Sequence, residues 1–279
     1  MFTMASAATC HELRCERTPE KRLRPLGGAV TTDLKVLLGI LAFAFSTMLA
    51  YALSGARRKP DQLASSAHGS FVLGSFLSAW LYWFAHPVVR GSVALRLSPT
   101  VFNLLGVAFG WGAGILFATE HVALAGWSVL LGGVADVLDG RIARAMGVAD
   151  ARGAFLDSTL DRFAEVGALV GLVLLLRDSA LGAGLASAAL GGSLLVSYAR
   201  ARGESQGVVC KIGVMQRAER LLLVGFGALF DPTVSAVWGS GRPGTLLVPL
   251  LALMVVGTLG TAIFRTFWIA RELEGTEPK

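Results

Sequence analysis

The chain has 279 residues, 54% of them apolar, a mean hydropathy of +0.62 and a formal net charge of +6. Only 16% of its residues are charged, which excludes an ordinary soluble enzyme. Repeated charge-free runs near bilayer length mark an all-α integral membrane protein instead, its basic residues drawn to anionic headgroups rather than to nucleic acid. The 34 glycines suit helices that pack closely through small residues. Three cysteines, Cys10, Cys15 and Cys210, offer no disulfide framework.

In chain order, residues 1–32 are polar and basic and are expected to form a disordered tail. Cys10, His11 and Cys15 read there as exposed side chains rather than as a metal site, and no cleavable signal peptide is apparent. Residues 33–56 contain the uncharged run Val36–Ala56 and are expected to form an extra transmembrane helix. A linker, 57–70, opens with Arg57, Arg58, Lys59 and Pro60. In 71–98 the cluster Trp80, Tyr82, Trp83 and Phe84 precedes Pro87, Arg90 and Arg96. Aromatic rings followed by arginines favour an amphipathic juxtamembrane helix on the membrane surface. If 71–89 spans instead, the side of the N-terminus changes, and the charges leave that choice open.

Residues 99–271 then read as six helices: Val101–Thr119, Val122 to about Met146, about Gly153–Leu176, Ala180–Ala199, Gly213–Phe230 and Leu246–Phe264. Alternating spans would put the arginine-rich stretches 141–152, 200–220 and 265–271 on one side, the cytoplasmic one. Residues 272–279 form a short solvated tail.

The second and third of these helices carry Asp136, Asp139, Asp157 and Asp161 in otherwise apolar surroundings. An ionised Asp at the centre of a membrane helix costs roughly 2.5–3.5 kcal/mol, and four near one another also repel. Positive charge must therefore lie between them. Spacings of three and four place each pair on one helix face, and the short polar segment 145–152 lets the helices turn back on each other. Hard divalent cations take carboxylate oxygens and normally share substrate phosphate. The bland alternative is a set of intramembrane ion pairs with Arg141, Arg144 and Arg162. Glu165, one turn beyond Asp161, reads as an arginine partner.

The run Asp136-x2-Asp139-Gly140-x2-Ala143-Arg144-x8-Gly153-x3-Asp157-x3-Asp161 resembles the signature of the CDP-alcohol phosphatidyltransferase family. The resemblance implies a six-helix membrane bundle, here with the extra N-terminal helix. It implies transfer of a phosphatidyl or phosphoalcohol group from a CDP-linked donor to a hydroxyl, with release of CMP. Two Mg²⁺ or Mn²⁺ ions would sit on Asp136, Asp139, Asp157 and Asp161, and Asp161 would also accept the proton of the attacking alcohol. The CDP moiety would lie against Asp136, Asp139, Gly140, Ala143, Arg144 and Gly153. A homodimer in the bacterial inner (cytoplasmic) membrane, with its site facing the cytoplasm, is also implied. The chain departs from the family's frequent Pro-Asn-x-x-Thr: here Pro99-Thr100-Val101-Phe102-Asn103 shifts the polar groups.

The strings Ser197–Glu204 and Gln216–Arg220 look like those of the family's phosphatidylinositol-phosphate synthases, although Gln216 stands where Glu is frequent and Gly203 where Ala is. Arg200, Lys211, Arg217 and Arg220 would then hold the phosphate of an acceptor such as inositol phosphate or glycerol 3-phosphate. The bland reading of this cluster is a set of headgroup-facing arginines. The expected donor is CDP-diacylglycerol. Rival readings are a transferase acting on diacylglycerol from a CDP-linked small alcohol, a divalent-cation transporter, and a non-catalytic lipid-binding relative.

Overall fold

The computed structural model describes residues 26–54, 74–210, 212–238 and 242–276. Among them are eight helices: α1 Leu26–Leu53, α2 Gly74–Ala94, α3 Pro99–Ala118, α4 Val122–Met146, α5 Ala151–Leu175, α6 Ala180–Ser205, α7 Arg217–Val237 and α8 Leu247–Thr276. Five of these, α3, α4, α6, α7 and α8, are long and apolar enough to cross a membrane. Helix α5 is also 25 residues long, but its first 15 residues concentrate Arg152, Asp157, Asp161, Arg162 and Glu165.

Local chemistry sets several boundaries. Ser98 caps α3, its hydroxyl accepting the Thr100 N–H, and Pro99 follows where a missing N–H costs nothing. Gly147 ends α4 in the left-handed conformation at φ 69°. Three residues later Asp150 caps α5 by accepting the Gly153 N–H at 2.7 Å. The hairpin joining the aspartate pairs is therefore tight. Other elements run longer than expected: α6 continues to Ser205, α7 passes Phe230 to Val237 with Pro232 inside it, and α8 reaches Thr276. Helix α1 begins at Leu26, inside the stretch expected as tail. The linker 57–70 and the cysteines at 10 and 15 lie outside the described residues.

The bundle is built around the α3–α5 crossing. A Cβ on Gly110 would come within 2.4 Å of the Ala164 carbonyl oxygen, one on Gly114 within 2.2 Å of Gly167 O, and one on Gly171 within 2.3 Å of the Gly114 Cα. Backbone meets backbone there, so only glycine fits. Helix α4 packs on α3 and α7, α6 on α5 and α8, and α7 on α8. The core between them includes Ala113, Phe117, Val129, Leu169, Leu172, Val224, Leu251 and Met254.

Helix α2 lies against α4 through Val89, Leu138 and Ile142. Helix α1 touches α2 and α7, with Phe43 against Phe84 and Tyr51 against Trp83.

Candidate active site

Helices α4 and α5 meet near their shared turn, and there the carboxylates converge. Asp136, Asp139 and Asp157 each offer an oxygen within 4.8 Å of the others. Asp139 is 3% exposed. One of its oxygens accepts the Gly140 N–H. Its Oδ2, and Oδ1 of Asp157, are buried without a hydrogen-bond partner. Buried carboxylate oxygens left without donors are costly. A hard divalent cation answers that cost, and three convergent oxygens are the donor set it takes. The residues present therefore fit Mg²⁺ or Mn²⁺.

Asp161 stands one turn further along α5 and lies outside the triad. Its Oδ1 accepts from Arg217 at 2.6 Å, and the same guanidinium bonds Asp136. The expectation placed Asp161 beside a second ion and Arg217 at the acceptor. The structure joins the two at one edge of the carboxylate centre, so that Arg217 links the acidic cluster to the start of α7. Arg162 turns away from the aspartates, to Glu165 at 3.2 Å and the Ser197 hydroxyl at 2.6 Å.

Arg220 belongs to the expected acceptor set. It is 2% exposed and directed inward, gripping Glu165 at 2.7 and 3.2 Å and the Met215 carbonyl at 3.2 Å. With Glu165 and Arg217 it lines a small pocket behind the aspartates, and a buried Glu165 requires such cationic donors. Arg200 pairs with Glu204 at 2.8 Å on the exposed end of α6. Its neighbour Arg202 lines a separate groove between α6 and α8. Lys211 lies outside the described residues.

A cleft of about 440 Å³ opens on the other side of the triad. Asp139, Gly140, Ala143, Arg144, Gly153 and Asp157 line it, while Asp136 does not. The Arg144 guanidinium lies over Gly140, 3.5 Å from where a Cβ would stand. Sequence reasoning missed Asp150 and Arg152, which also line the cleft, as does Ser98. The capping pattern Asp150-x2-Gly153 was the available signal, because it marks a helix N-terminus facing the cleft, the natural place for phosphate. Thr100 and Asn103 line the cleft as well, so the shifted polar pattern ahead of α3 still delivers polar groups to this wall.

The fold and this centre define a helical membrane protein whose carboxylate cluster is of the divalent-metal type and borders a nucleotide-sized cleft. The family model described as CDP-alcohol phosphatidyltransferase matches residues 97–256, and the chain belongs to that family. It is similar to the phosphatidylinositol phosphate synthase of Streptomyces avermitilis, 31% identical over 216 residues, 75% of this chain and 87% of that one. It is also similar to the archaetidylinositol phosphate synthase of Pyrococcus horikoshii, 32% identical over 148 residues, 52% of this chain and 76% of that one. Crystal structures of Mycobacterium tuberculosis phosphatidylinositol phosphate synthase share 28% identity. The form with CDP-DAG bound has a TM-score of 0.57 and covers 66% of this chain and 92% of that one. The form in complex with manganese and citrate has a TM-score of 0.58 and covers 66% and 87%. The chain is thus a membrane-embedded, divalent-metal-dependent CDP-alcohol phosphatidyltransferase of phospholipid synthesis.

Proposed function

We propose that this enzyme moves the phosphatidyl group of CDP-diacylglycerol to a hydroxyl of inositol phosphate, with release of CMP. The observation that carries this reading is Arg217, a guanidinium held at the edge of the carboxylate centre by Asp136 and Asp161. A neutral acceptor such as diacylglycerol has no use for such a group, whereas a phosphorylated polyol does. The names of the three relatives agree with that choice, all being phosphatidyl- or archaetidylinositol phosphate synthases. Glycerol 3-phosphate has the same phosphate chemistry, but none of these names supports it.

Asp136, Asp139 and Asp157 would hold the divalent ion, with Asp161 toward a second. Once bound, these ions supply positive charge to the pyrophosphate oxygens of the donor. Arg144, Thr100, Asn103 and the N-terminus of α5 orient the CDP moiety in the cleft. The acceptor hydroxyl attacks the phosphorus that carries diacylglycerol, the bond to the CMP oxygen breaks, and Asp161 takes the hydroxyl proton. Arg217 steers the acceptor phosphate next to Asp161. Arg144, Arg200, Arg202 and Arg271 follow the positive-inside bias, which supports a cytoplasm-facing site in a bacterial inner membrane. The glycine-rich helices suit a homodimer.

The test is CMP release from CDP-diacylglycerol with Mn²⁺ and a panel of inositol phosphate, glycerol 3-phosphate, serine and inositol. Turnover dependent on inositol phosphate is expected. Turnover only with unphosphorylated alcohols overturns the acceptor assignment. Ion uptake into vesicles without CMP release would favour a transporter.

A further inference from the structure

Between the C-terminal parts of α6 and α8 lies a groove of about 630 Å³. On α6 its wall carries Tyr198, Arg202 and Gln206, spaced four residues apart and therefore stacked on one helix face. The α8 wall is apolar. Leu259, Ile263 and Phe267 repeat there at the same interval, and the Thr266 hydroxyl is used up on the Ala262 carbonyl at 2.9 Å. Arg202 is the one charged side chain that lines the groove. It makes no salt bridge among the described residues, Glu204 being paired with Arg200 instead. At the floor the helices touch: a Cβ on Gly203 would stand 2.7 Å from Ile269 Cδ1. None of the four aspartates lines the groove, and neither do Arg217 and Arg220.

The groove follows α8 from Leu259 to Leu273, about 21 Å of helix at the usual rise, which is the depth of one bilayer leaflet with its headgroup layer. It lies on the membrane side of the carboxylates, because Arg162, next to Asp161, donates to Ser197 beside Tyr198 at 2.6 Å. A phospholipid of that leaflet lays its acyl chains on the α8 wall and brings its phosphate to Arg202, whose planar fork of donors suits phosphate oxygens. An anionic headgroup is favoured, since no carboxylate in the groove neutralises the guanidinium. A second copy of the chain fits less well: a two-fold contact centred here would turn Arg202 toward its own counterpart.

We infer that this groove binds an anionic diacyl phospholipid of the leaflet nearest the active site, its phosphate on Arg202, Tyr198 and Gln206 and an acyl chain against Leu259, Ile263 and Phe267. The lipid held there is a resident and not a reactant, because the groove is separate from the cleft beside the aspartates. Its binding is independent of which alcohol the enzyme uses.

The experiment places the full chain in phosphatidylcholine nanodiscs that carry a trace of phosphatidylglycerol with a photoactivatable acyl chain, and maps the label by peptide mass spectrometry. Label is expected on 259–273 and 195–206. Arg202→Gln should lower it about fivefold, the loss expected for one interfacial cation. Ile263→Trp, which fills the groove from an exposed position, should lower it as much and keeps the test available if Arg202→Gln does not fold. Arg271→Gln, a basic residue that does not line the groove, should leave the label within about twofold of wild type. Mn²⁺ binding by each variant shows that the bundle is intact. Equal labelling by a photoactivatable phosphatidylcholine overturns the inference, as does wild-type labelling of Arg202→Gln. Cross-links from these segments to a second copy, with the dimer lost in Ile263→Trp, would make the groove a contact between copies and overturn it too.

Discussion

At the residue scale the site rests on unequal partners. Asp157 has a buried oxygen with no hydrogen-bond donor, so its charge matters to a cation more than to the fold. Asp157→Asn should therefore abolish CMP release and weaken Mn²⁺ binding while the protein still inserts and folds. Isothermal titration with Mn²⁺ and a turnover assay check this, and wild-type activity would refute the metal assignment. Glu165 is the opposite case. It is 6% exposed and accepts from both Arg162 and Arg220, so its charge matters to the fold. Glu165→Gln leaves two guanidiniums facing a neutral amide. Breaking a buried pair in this way costs about 3 kcal/mol, read as a lower unfolding temperature in detergent, with Mn²⁺ affinity retained in whatever fraction folds.

At the element scale, the α3–α5 crossing decides whether the cleft walls meet. Helix α3 brings Thr100 and Asn103 and α5 brings Asp157 to the same cleft, and Gly110, Gly114, Gly167 and Gly171 let the backbones touch. Gly114→Ala puts a methyl group where a carbonyl oxygen already lies. It should cost about 1–3 kcal/mol and reduce turnover, because the helices must separate. Gly184 is the control: a Cβ there meets nothing within 4 Å, so Gly184→Ala should be neutral or slightly stabilising through helix propensity. Thermal unfolding of both variants separates a packing effect from a general intolerance of alanine. At the far end of α7, Asp231 shows the same logic in polar form. Fully buried, it accepts from the backbone N–H groups of Gly244 and Leu246 at 2.7 Å and of Leu247 at 3.1 Å, capping α8 from another helix. No local pattern pointed to it, because its partners lie 13 to 16 residues away.

At the scale of the whole molecule, α1 stands apart from the chemistry. It touches α2 and α7, and the family match starts only at residue 97. A chain beginning at residue 70 keeps α2 and its seat on Leu138 and Ile142. It should retain Mn²⁺ binding and at least about half of the wild-type turnover in detergent, as a purified truncation would show; loss of metal binding would give α1 a direct role in the site.

The carboxylate centre was legible because a three- or four-residue spacing is a helix face and buried charge in a lipid-facing sequence is too costly to be incidental. The short hairpin between the aspartate pairs was legible from the polar segment 145–152, while the structure supplied its end at Gly147 and its cap at Asp150. Helix lengths were less legible: α6 and α8 run past their apolar stretches into charged segments, where hydropathy no longer marks them. Sequence alone therefore determined the helical membrane class, the metal-type aspartates and the family, since these depend on residue type and near spacing. Only the tertiary structure decided that Arg220 turns inward to Glu165, 55 residues away, that Arg217 reaches Asp136 and Asp161, and that Arg202 borders a groove walled by α8. Each of these turns on which distant helices pack together, and a guanidinium carries the same charge whether it faces substrate, lipid or a buried carboxylate.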